Sequence, residues 1–546
     1  VGAFLLVNSN RSENVFLELL AESINSYYGQ EKLGQMINEF ENGTFTISDR
    51  QLAEPEELLL MQRVFFELTG LSMANTTTIN WAISGKNTQS GRPLLVAARN
   101  SGISHYGTWK TMTLNNKTTE ISGVFLAGFP FPFTGTNGSI AWSIFPTKSL
   151  RESLPSQMSR TDSESSGLKG WQSTQEEESF ALACASTLNG LWDAVNAENL
   201  SALLAAIGNV RVLDSRYVVT DAENNIGLLD NTTNIINPEN GNIIGEIRAV
   251  DKIMAQSKDM FQNSFSGQTT RIQTKLDAHQ IFTPKMLEAL IWDPVSPYAQ
   301  TVTEHLMKSL LPWDELTLKQ RKIVKLLEDW SGDESSESQA ALIFEMTLLK
   351  LAENIFRDEM DLINKDLYRI FLGLPIVVHK AVYAALMSQA FSWYDDVRTI
   401  GYKELKEEVV QTAFTDAIAE IEQRVGRNPQ TWSWGAVHRS SGMRTIDSRG
   451  KRRKGFWGGD KTIPIDGSWT TIVRSPYNLA EPFTSIEQAA YQCVLDLGEP
   501  EEPMRIIAVT KPGRNDDDSN NINTQEKLAG PQSTTIKNEL ILVPAG

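Results

Sequence analysis

Apolar residues recur at helical spacing through "ENVFLELLAESINSYYGQEKLGQMINEF", and "EPEELLLMQRVFFELTG" repeats the pattern up to a Gly stop, so residues 13 to 70 are predicted to be helical. From 79 to 145 the pattern shortens to β-type runs (INWAISG, PLLVAAR, WKTMTL, EISGVFLAG, SIAWSIF) parted by Gly, Asn and Ser, which predicts consecutive strands. Residue 78 stands where the pattern switches. "RYVVTDAENNIGLLD" reads as a hairpin with Asn224-Asn225 near its turn, and "SQMSRTDSESSGLKGWQSTQEEES" as an exposed loop. Helical spacing returns from about 270 to 425, in "QAALIFEMTLLKLAENIF" and "ELKEEVVQTAFTDAIAEIEQRVG". β-type runs then resume in WSWGAV, TTIVRSP and MRIIAVT, ahead of the polar segment RNDDDSNNINTQ. With β material on both sides of the helical block, the expected plan is a layered α+β body carrying a helical subdomain rather than independent modules.

Composition narrows the function classes. The chain has 546 residues, 41% of them hydrophobic, which is ample for a large core. A net charge of −17 argues against general affinity for nucleic acid or acidic membranes. Cys184 and Cys493 lie far apart without a C-x-x-C pattern, so neither a disulfide framework nor a zinc site is indicated. No apolar run reaches the roughly 18 residues of a transmembrane segment, and the opening "VGAFLLV" is too short for one or for a complete signal sequence. Sequons at Asn42, Asn75 and Asn231 carry little weight in so Asn-rich a chain.

Common catalytic signatures are missing. His105, His279, His305, His379 and His438 form no H-x-x-x-H pair, so a metallohydrolase is not supported. Ser84-Gly85-Lys86 lacks the glycine spacing of a phosphate loop and reads as a β-turn, and no G-x-S-x-G elbow occurs. The basic "RGKRRKG" reads as a surface loop and "DDDSNNINTQEK" as a solvated one, since its Gly and Glu are not at EF-hand positions.

Several segments, in order along most of the chain, together resemble the penicillin acylase (penicillin amidase) family of N-terminal-nucleophile hydrolases. "NWAISGKNTQSGRPLL" looks like the opening of that family's large chain, and "AGFPFPFTGTNGSIAWS" is similar to its Gly-x-Pro, Gly-x-Asn and Ala-Trp-Gly segments. "TDAENNIG", "WDPVS", "LLEDWSG", "TWSWGAVHR" and "VLDLGEP" resemble further landmarks. The resemblance implies an α+β, four-layer αββα fold with two antiparallel sheets. It implies residues 1–77 as the end of the small chain and 78–546 as the large chain, with the helical subdomain at about 270–425. The implied chemistry is hydrolysis of linear amides by a nucleophile freed by self-cleavage, whose own α-amine is the general base.

Carried over residue by residue, the nucleophile position is Thr78, three residues before Trp81. A Thr hydroxyl is chemically adequate, but Thr77 and Ile79 stand where the family usually has Gly and Asn, and a β-branched Thr77 reduces backbone freedom at a strained cleavage site. Asn100 occupies the position, usually His or Gln, near the nucleophile's amine. The family's backbone oxyanion donor lies four residues past the Ala-Trp-Gly tryptophan; here that tryptophan is Trp142 and the position is Pro146, which has no N–H. The side-chain donor, an Asn after an Asn-Pro-x-x-Gly turn, has no counterpart: after Asn237, Pro238 and Gly241 no Asn occurs from Ile243 to Lys252, and Ile247 stands near its place. The family's calcium carboxylates are replaced around Lys148, Arg151 and Glu152, so no metal is expected, and no cofactor is implied.

Two readings remain open: a penicillin-acylase-like scaffold that is uncleaved, non-catalytic and works by binding, which the losses favour, or an active amidase using Thr78 on an N-acyl amino acid, acyl-homoserine lactone or β-lactam. Expected partners are a protein or further small-chain material at the short helical lead-in, and a small N-acyl ligand if the amidase is active. Family resemblance favours a periplasmic or otherwise extracytoplasmic location.

Overall fold

The structure is a computed structural model that describes residues 11–36, 78–102, 109–115, 120–126, 131–146, 189–207, 215–230, 235–236, 243–244, 252–256, 267–388, 391–440, 445–446, 452–453, 464–477, 479–480, 482–485, 487–499, 504–509 and 539–541. Its centre is a pair of sheets. In chain order the strands are β1 (Thr78–Ile83), β2 (Leu94–Gly102), β3 (Trp109–Asn115), β4 (Glu120–Leu126), β5 (Pro132–Thr136), β6 (Ile140–Pro146), β7 (Ser215–Asp221), β8 (Ile226–Asp230), β9 (Ile235–Ile236), β10 (Ile243–Ile244), β11 (Lys252–Gln256), β12 (Glu487–Asp496), β13 (Met504–Val509) and β14 (Glu539–Ile541). One sheet has the order β11-β1-β2-β12-β13 and the other β10-β9-β8-β7-β6-β5-β4-β3-β14. The pairings are antiparallel except at one edge, where β14 runs parallel to β3. The two antiparallel sheets expected from the sequence are thus present, with one parallel edge pairing: β14 arrives from the far end of the chain and is free of the hairpin connections that force antiparallel pairing elsewhere.

Alternation along the strands divides the core into layers. Ile79, Trp81 and Ile83 of β1, with Leu94 and Val96 of β2, pack outward with Ile272, Leu276, Leu287 and Ile291. Those partners belong to α4 (Gln268–Asp277) and α5 (Pro284–Ile291). Ala82, Leu95, Ala97, Tyr491 and Cys493 pack inward with Trp109, Phe125, Phe133 and Ile144 of the second sheet. The second sheet carries α3 (Leu200–Ile207), which contributes Leu200, Leu203 and Ile207. Helix, sheet, sheet, helix is the αββα stack, and its period-2 segments are buried on both faces, as two covered sheets require.

The sheets are tied at one end by a close approach. The Ser84–Asn87 turn meets the β7–β8 turn so tightly that a Cβ on Gly85 would lie 2.1 Å from Asn224 Oδ1 and 2.3 Å from the Gly91 carbonyl oxygen. Asn224 itself sits at φ 72°, a left-handed position that Asn accepts more readily than most residues. Arg92 Nη1 donates to the Ala222 carbonyl across the same gap.

Residues 268–437 are mainly helical. Thr283 and Ser296 cap α5 and α6 (Pro297–Lys308), each with Pro at the helix start. Thr317 and Gln320 form a capping box on α7 (Leu318–Glu328). The 25-residue α8 (Gln339–Ile363), capped by Ser338, runs through the middle of this body. Around it lie α9 (Leu367–Leu372), α10 (Pro375–Met387) and α11 (Lys406–Arg424). The lead-in helices α1 (Arg11–Tyr28) and α2 (Gln30–Met36) dock here too, burying Leu20, Ile24 and Met36.

Two sequence expectations are overturned. "WSWGAV" is not a strand: Trp434–Val437 forms a short helix, α12. "TTIVRSP" is not one either; Thr471 Oγ1 accepts from the Ser468 N–H and donates to the Val473 carbonyl, and such local side-chain bonds compete with a ladder. Residues 37–77, the Ser- and Glu-rich loop and the "DDDSNNINTQEK" segment lie outside the described residues.

Candidate functional site between the sheets

Thr78 is the first residue of β1 and pairs with Arg99 of β2, which pairs on its other side with Tyr491 of β12. Two residues along β1, Asn80 is fully buried and accepts through Oδ1 from Ser143 Oγ of β6 at 3.1 Å. Ser143 Oγ lies 2.8 Å from Thr134 Oγ1 of β5, which lies 3.1 Å from Tyr491 OH. Asn80, Ser143, Thr134 and Tyr491 thus form one buried polar chain bridging the sheets, with Arg99 the cross-strand neighbour of its Tyr491 end.

Arg99 is 2% exposed. Its guanidinium lies 4.9 Å from the Trp109 ring centroid and 5.7 Å from that of Phe133, a cation beside two aromatic rings set at 90° to each other. Burial lowers its pKa, and the Tyr491 hydroxyl only partly offsets this. Nε and Nη1 are buried without a hydrogen-bond partner among the described residues, and so is Asn80 Nδ2. Donors are in excess here.

The residues singled out from sequence are not all brought together. Asn100, next along β2, points the other way: it is buried and its Nδ2 donates to the Arg474 carbonyl at 3.4 Å. Pro146 ends β6 opposite Ser215, and β5 accompanies β6 only as far as Ser143. Ile247, the Asn237-Pro238-Gly241 turn, and Lys148, Arg151 and Glu152 lie outside the described residues. Among the described residues no group of three or more His, Cys, Asp or Glu is placed to hold a metal.

Sequence reasoning missed Arg99, Asn80, Ser143, Thr134 and Tyr491. The available signal was parity: in "PLLVAARN", Leu95, Ala97 and Arg99 share one face, so a charge was due on the buried side of a strand covered on both faces.

Several other buried ionisable groups belong to the helical body, and Cys493 to β12. His438 stacks on Trp434 at 4.4 Å and 15°, with Nδ1 2.9 Å from the Phe483 carbonyl oxygen; burial lowers its pKa to about 4. Glu345 accepts from Tyr477 OH, and burial raises its carboxyl to about 7. Glu334 is raised well above the usual range by burial and by Glu345. Cys493 is a buried thiol whose pKa burial pushes up, so it is no nucleophile.

Known proteins share much of this chain. A family model described as Penicillin amidase matches residues 4–154 and 256–519. An acyl-homoserine lactone acylase QuiP of Pseudomonas fluorescens strain Pf0-1 is 21% identical over 543 residues, covering 80% of this chain and 63% of that protein. The QuiP acylase of Pseudomonas aeruginosa is 27% identical over 207 residues, 36% of this chain and 24% of that one. The chain therefore spans less than two thirds of the length of these curated relatives. Among solved structures, a thermostable penicillin G acylase from Alcaligenes faecalis aligns with a TM-score of 0.43 and 12% identity, over 78% of this chain and 89% of that one.

Proposed function

Since the chain belongs to the penicillin amidase family, we propose that it is a family scaffold which has lost amide hydrolysis, remains uncleaved before Thr78, and acts by binding. The observation that carries this reading is Pro146. Among the described residues β5 pairs with β6 only as far as Ser143; beyond it, where the family resemblance puts a backbone N–H aimed at the oxyanion, the residue supplied is a proline. One such donor is worth roughly 10²–10³ in kcat. The absence of Asn from Ile243 to Lys252 takes away a second, so the combined loss is on the order of 10⁴–10⁶. Asn100 adds support, because its amide is committed to Arg474 on the side of β2 away from Arg99.

A second reading keeps Thr78 as nucleophile. It is favoured by the placement of Thr78 at the start of an interior strand and by relatives named as acyl-homoserine lactone acylases. Under the second reading the ligand is a small N-acyl compound; under either, a protein partner adjoins α1 and α2.

Denaturing mass spectrometry of the purified protein, run beside Thr78→Ala, separates the two. One intact mass in both, with no product from a panel of N-acyl substrates, is the expected result. A fragment beginning at Thr78 that the substitution abolishes overturns the scaffold reading.

A further inference from the structure

We propose that the apolar surface formed by the loop before α7 and the loop before α11 is a self-association face, on which a second copy of this chain docks about a twofold axis. The proposal is independent of whether Thr78 acts as a nucleophile.

Among the described residues ten large apolar side chains are exposed, and six of them, Leu311, Trp313, Leu318, Ile400, Tyr402 and Leu405, stand in these two loops or at the helix start that follows. Both loops meet α11. The Leu311 N–H donates to Gln411 Oε1 at 3.2 Å and Gln320 Nε2 donates to Thr415 Oγ1 at 3.3 Å, while Tyr402 OH and the Leu405 N–H donate to the Glu408 carboxylate. Arg321 donates to the Asp314 and Leu316 carbonyls and lies 5.9 Å from the Trp313 ring centroid, so the first loop is pinned with its tryptophan half exposed. Leu318 is 77% exposed and Ile400 fully so. Single exposed leucines need no explanation, but six large apolar side chains gathered at one helix on pinned backbone mark an interaction surface.

Charge selects the occupant. No acidic residue occurs from Leu316 to Leu327, and Lys322 and Lys325 are exposed on α7. At the start of α11 stand Glu404, Glu407 and Glu408, where Lys406 is drawn inward to the Leu386 carbonyl and Lys403 is left as the exposed cation. Asp314 and Glu315 are exposed in the first loop. Along α11 the order is Glu407 and Glu408 in the first turn, Leu311 at Gln411, then Gln320 at Thr415 and Lys319 at Glu422, so the apolar side chains of the first loop lie between an acidic end and the basic α7. Such a face is complementary to its own copy turned through a half-circle, because a twofold axis sets each basic end against the other copy's acidic end. An anionic lipid surface would be repelled by the acidic end. At a net charge of −17 two copies attract only where local pairing of this kind exists.

The test is sedimentation equilibrium of the full chain across the micromolar range. The wild type should shift from monomer to dimer as concentration rises, and Leu318→Glu should weaken the dimer at least about tenfold. Lys322→Glu combined with Lys325→Glu, and separately Glu407→Lys, should each weaken it too, since each sets like charges together twice across the axis. Mixed in equal amounts, these two variants should form a heterodimer about as tight as the wild-type dimer, because both of its pairings are again of opposite charge. Glu408 is kept, since its carboxylate caps α11. The substituted side chains are all exposed, so the variants should melt with the wild type and a lost dimer is not a lost fold. A wild type that stays monomeric at its highest soluble concentration, a dimer indifferent to Leu318→Glu, or charge variants that mixing does not rescue overturns the proposal. So does a monomer that cosediments with phosphatidylglycerol vesicles, which would assign the face to lipid.

Discussion

Lys32 of α2 makes a 2.6 Å ion pair with Glu359 of α8, and its ammonium also lies over the rings of Tyr28 and Trp393 at 4.6 and 4.8 Å. The same stretch is held by Gln35 Oε1, which accepts from Ser392 N and Oγ, and by Trp393 Nε1 donating to the Lys32 carbonyl. The lead-in helices are therefore fixed to the helical body by specific polar bonds as well as by Leu20, Ile24 and Met36.

Burial and the neighbouring Asp358 raise the Glu359 carboxyl to about 9, and Lys32 pulls it back only in part. A carboxyl raised in this way stabilises the fold below its unfolded pKa near 4.5, and that contribution is lost as pH rises through 9. Raised to about 9, the carboxyl is already protonated at pH 7, so Lys32→Met leaves no bare charge there and the expected cost is about 2 kcal/mol rather than the roughly 3–5 of an uncompensated buried charge. Urea denaturation should show the deficit widening above pH 9, where the ionised carboxylate has lost its counter-ion.

Glu345 supplies a second pH signature. Its carboxyl, raised to about 7, faces Glu334, Tyr477, Tyr298 and Ser468. Its stabilising proton is fully kept below about pH 4.5 and lost as pH rises through 7. Glu345→Gln should therefore lose less stability than wild type between pH 5 and 8 in paired denaturation curves. His379 and His438, both lowered to about 4 by burial, act in the opposite sense as pH falls from 6.5 to 4. They are common to both proteins and cancel in the comparison.

His438→Ala should lower stability by about 3 kcal/mol, through the cavity under Trp434 and the lost bond to the Phe483 carbonyl. Association with a second copy should be unchanged once the protein is folded. A selective loss of association at full stability would contradict a purely structural role for this histidine.

Gly85→Ala should destabilise by roughly 1–3 kcal/mol, because its Cβ would collide with Asn224 and with the Gly91 backbone. Asn224→Gly, which keeps the left-handed backbone and opens space, should cost far less in the same thermal melts. Combining the two reports on the contact: the double variant should recover only part of the loss, since the Gly91 carbonyl stays in place.

Much of this fold was legible as period. Strands β1 to β4 and β6 to β8 followed from alternation and turn residues, with Asn224 at the hairpin turn where the dipeptide put it, whereas β5, Pro132–Thr136, was not among the expected runs; the long helices followed from 3.6-residue spacing. What failed did so for local reasons. Trp434 and Val437 favour strands by type, yet they close a single helical turn whose last N–H, from His438, bonds back to the Trp434 carbonyl. Of the positions that family spacing marked, Thr78 starts β1 beside Arg99, while Asn100 faces Arg474 on the other side of β2 and Pro146 ends β6. Arg99, Thr134, Ser143 and Tyr491 come from four different strands and become neighbours only when two sheets face each other, which no linear window reveals.

The interior place of β1 bears on the peptide bond ahead of Thr78. From Ile79 to Ile83 the strand is laced on one flank to Lys252–Gln256 and on the other to Leu94–Ala98. Upstream, Lys32 and Gln35 moor the helical lead-in to a different part of the molecule. Severing the backbone just before Thr78 would thus leave both pieces berthed, so the molecule is mechanically indifferent to a nick there, and intactness at that bond reports on chemistry rather than on folding.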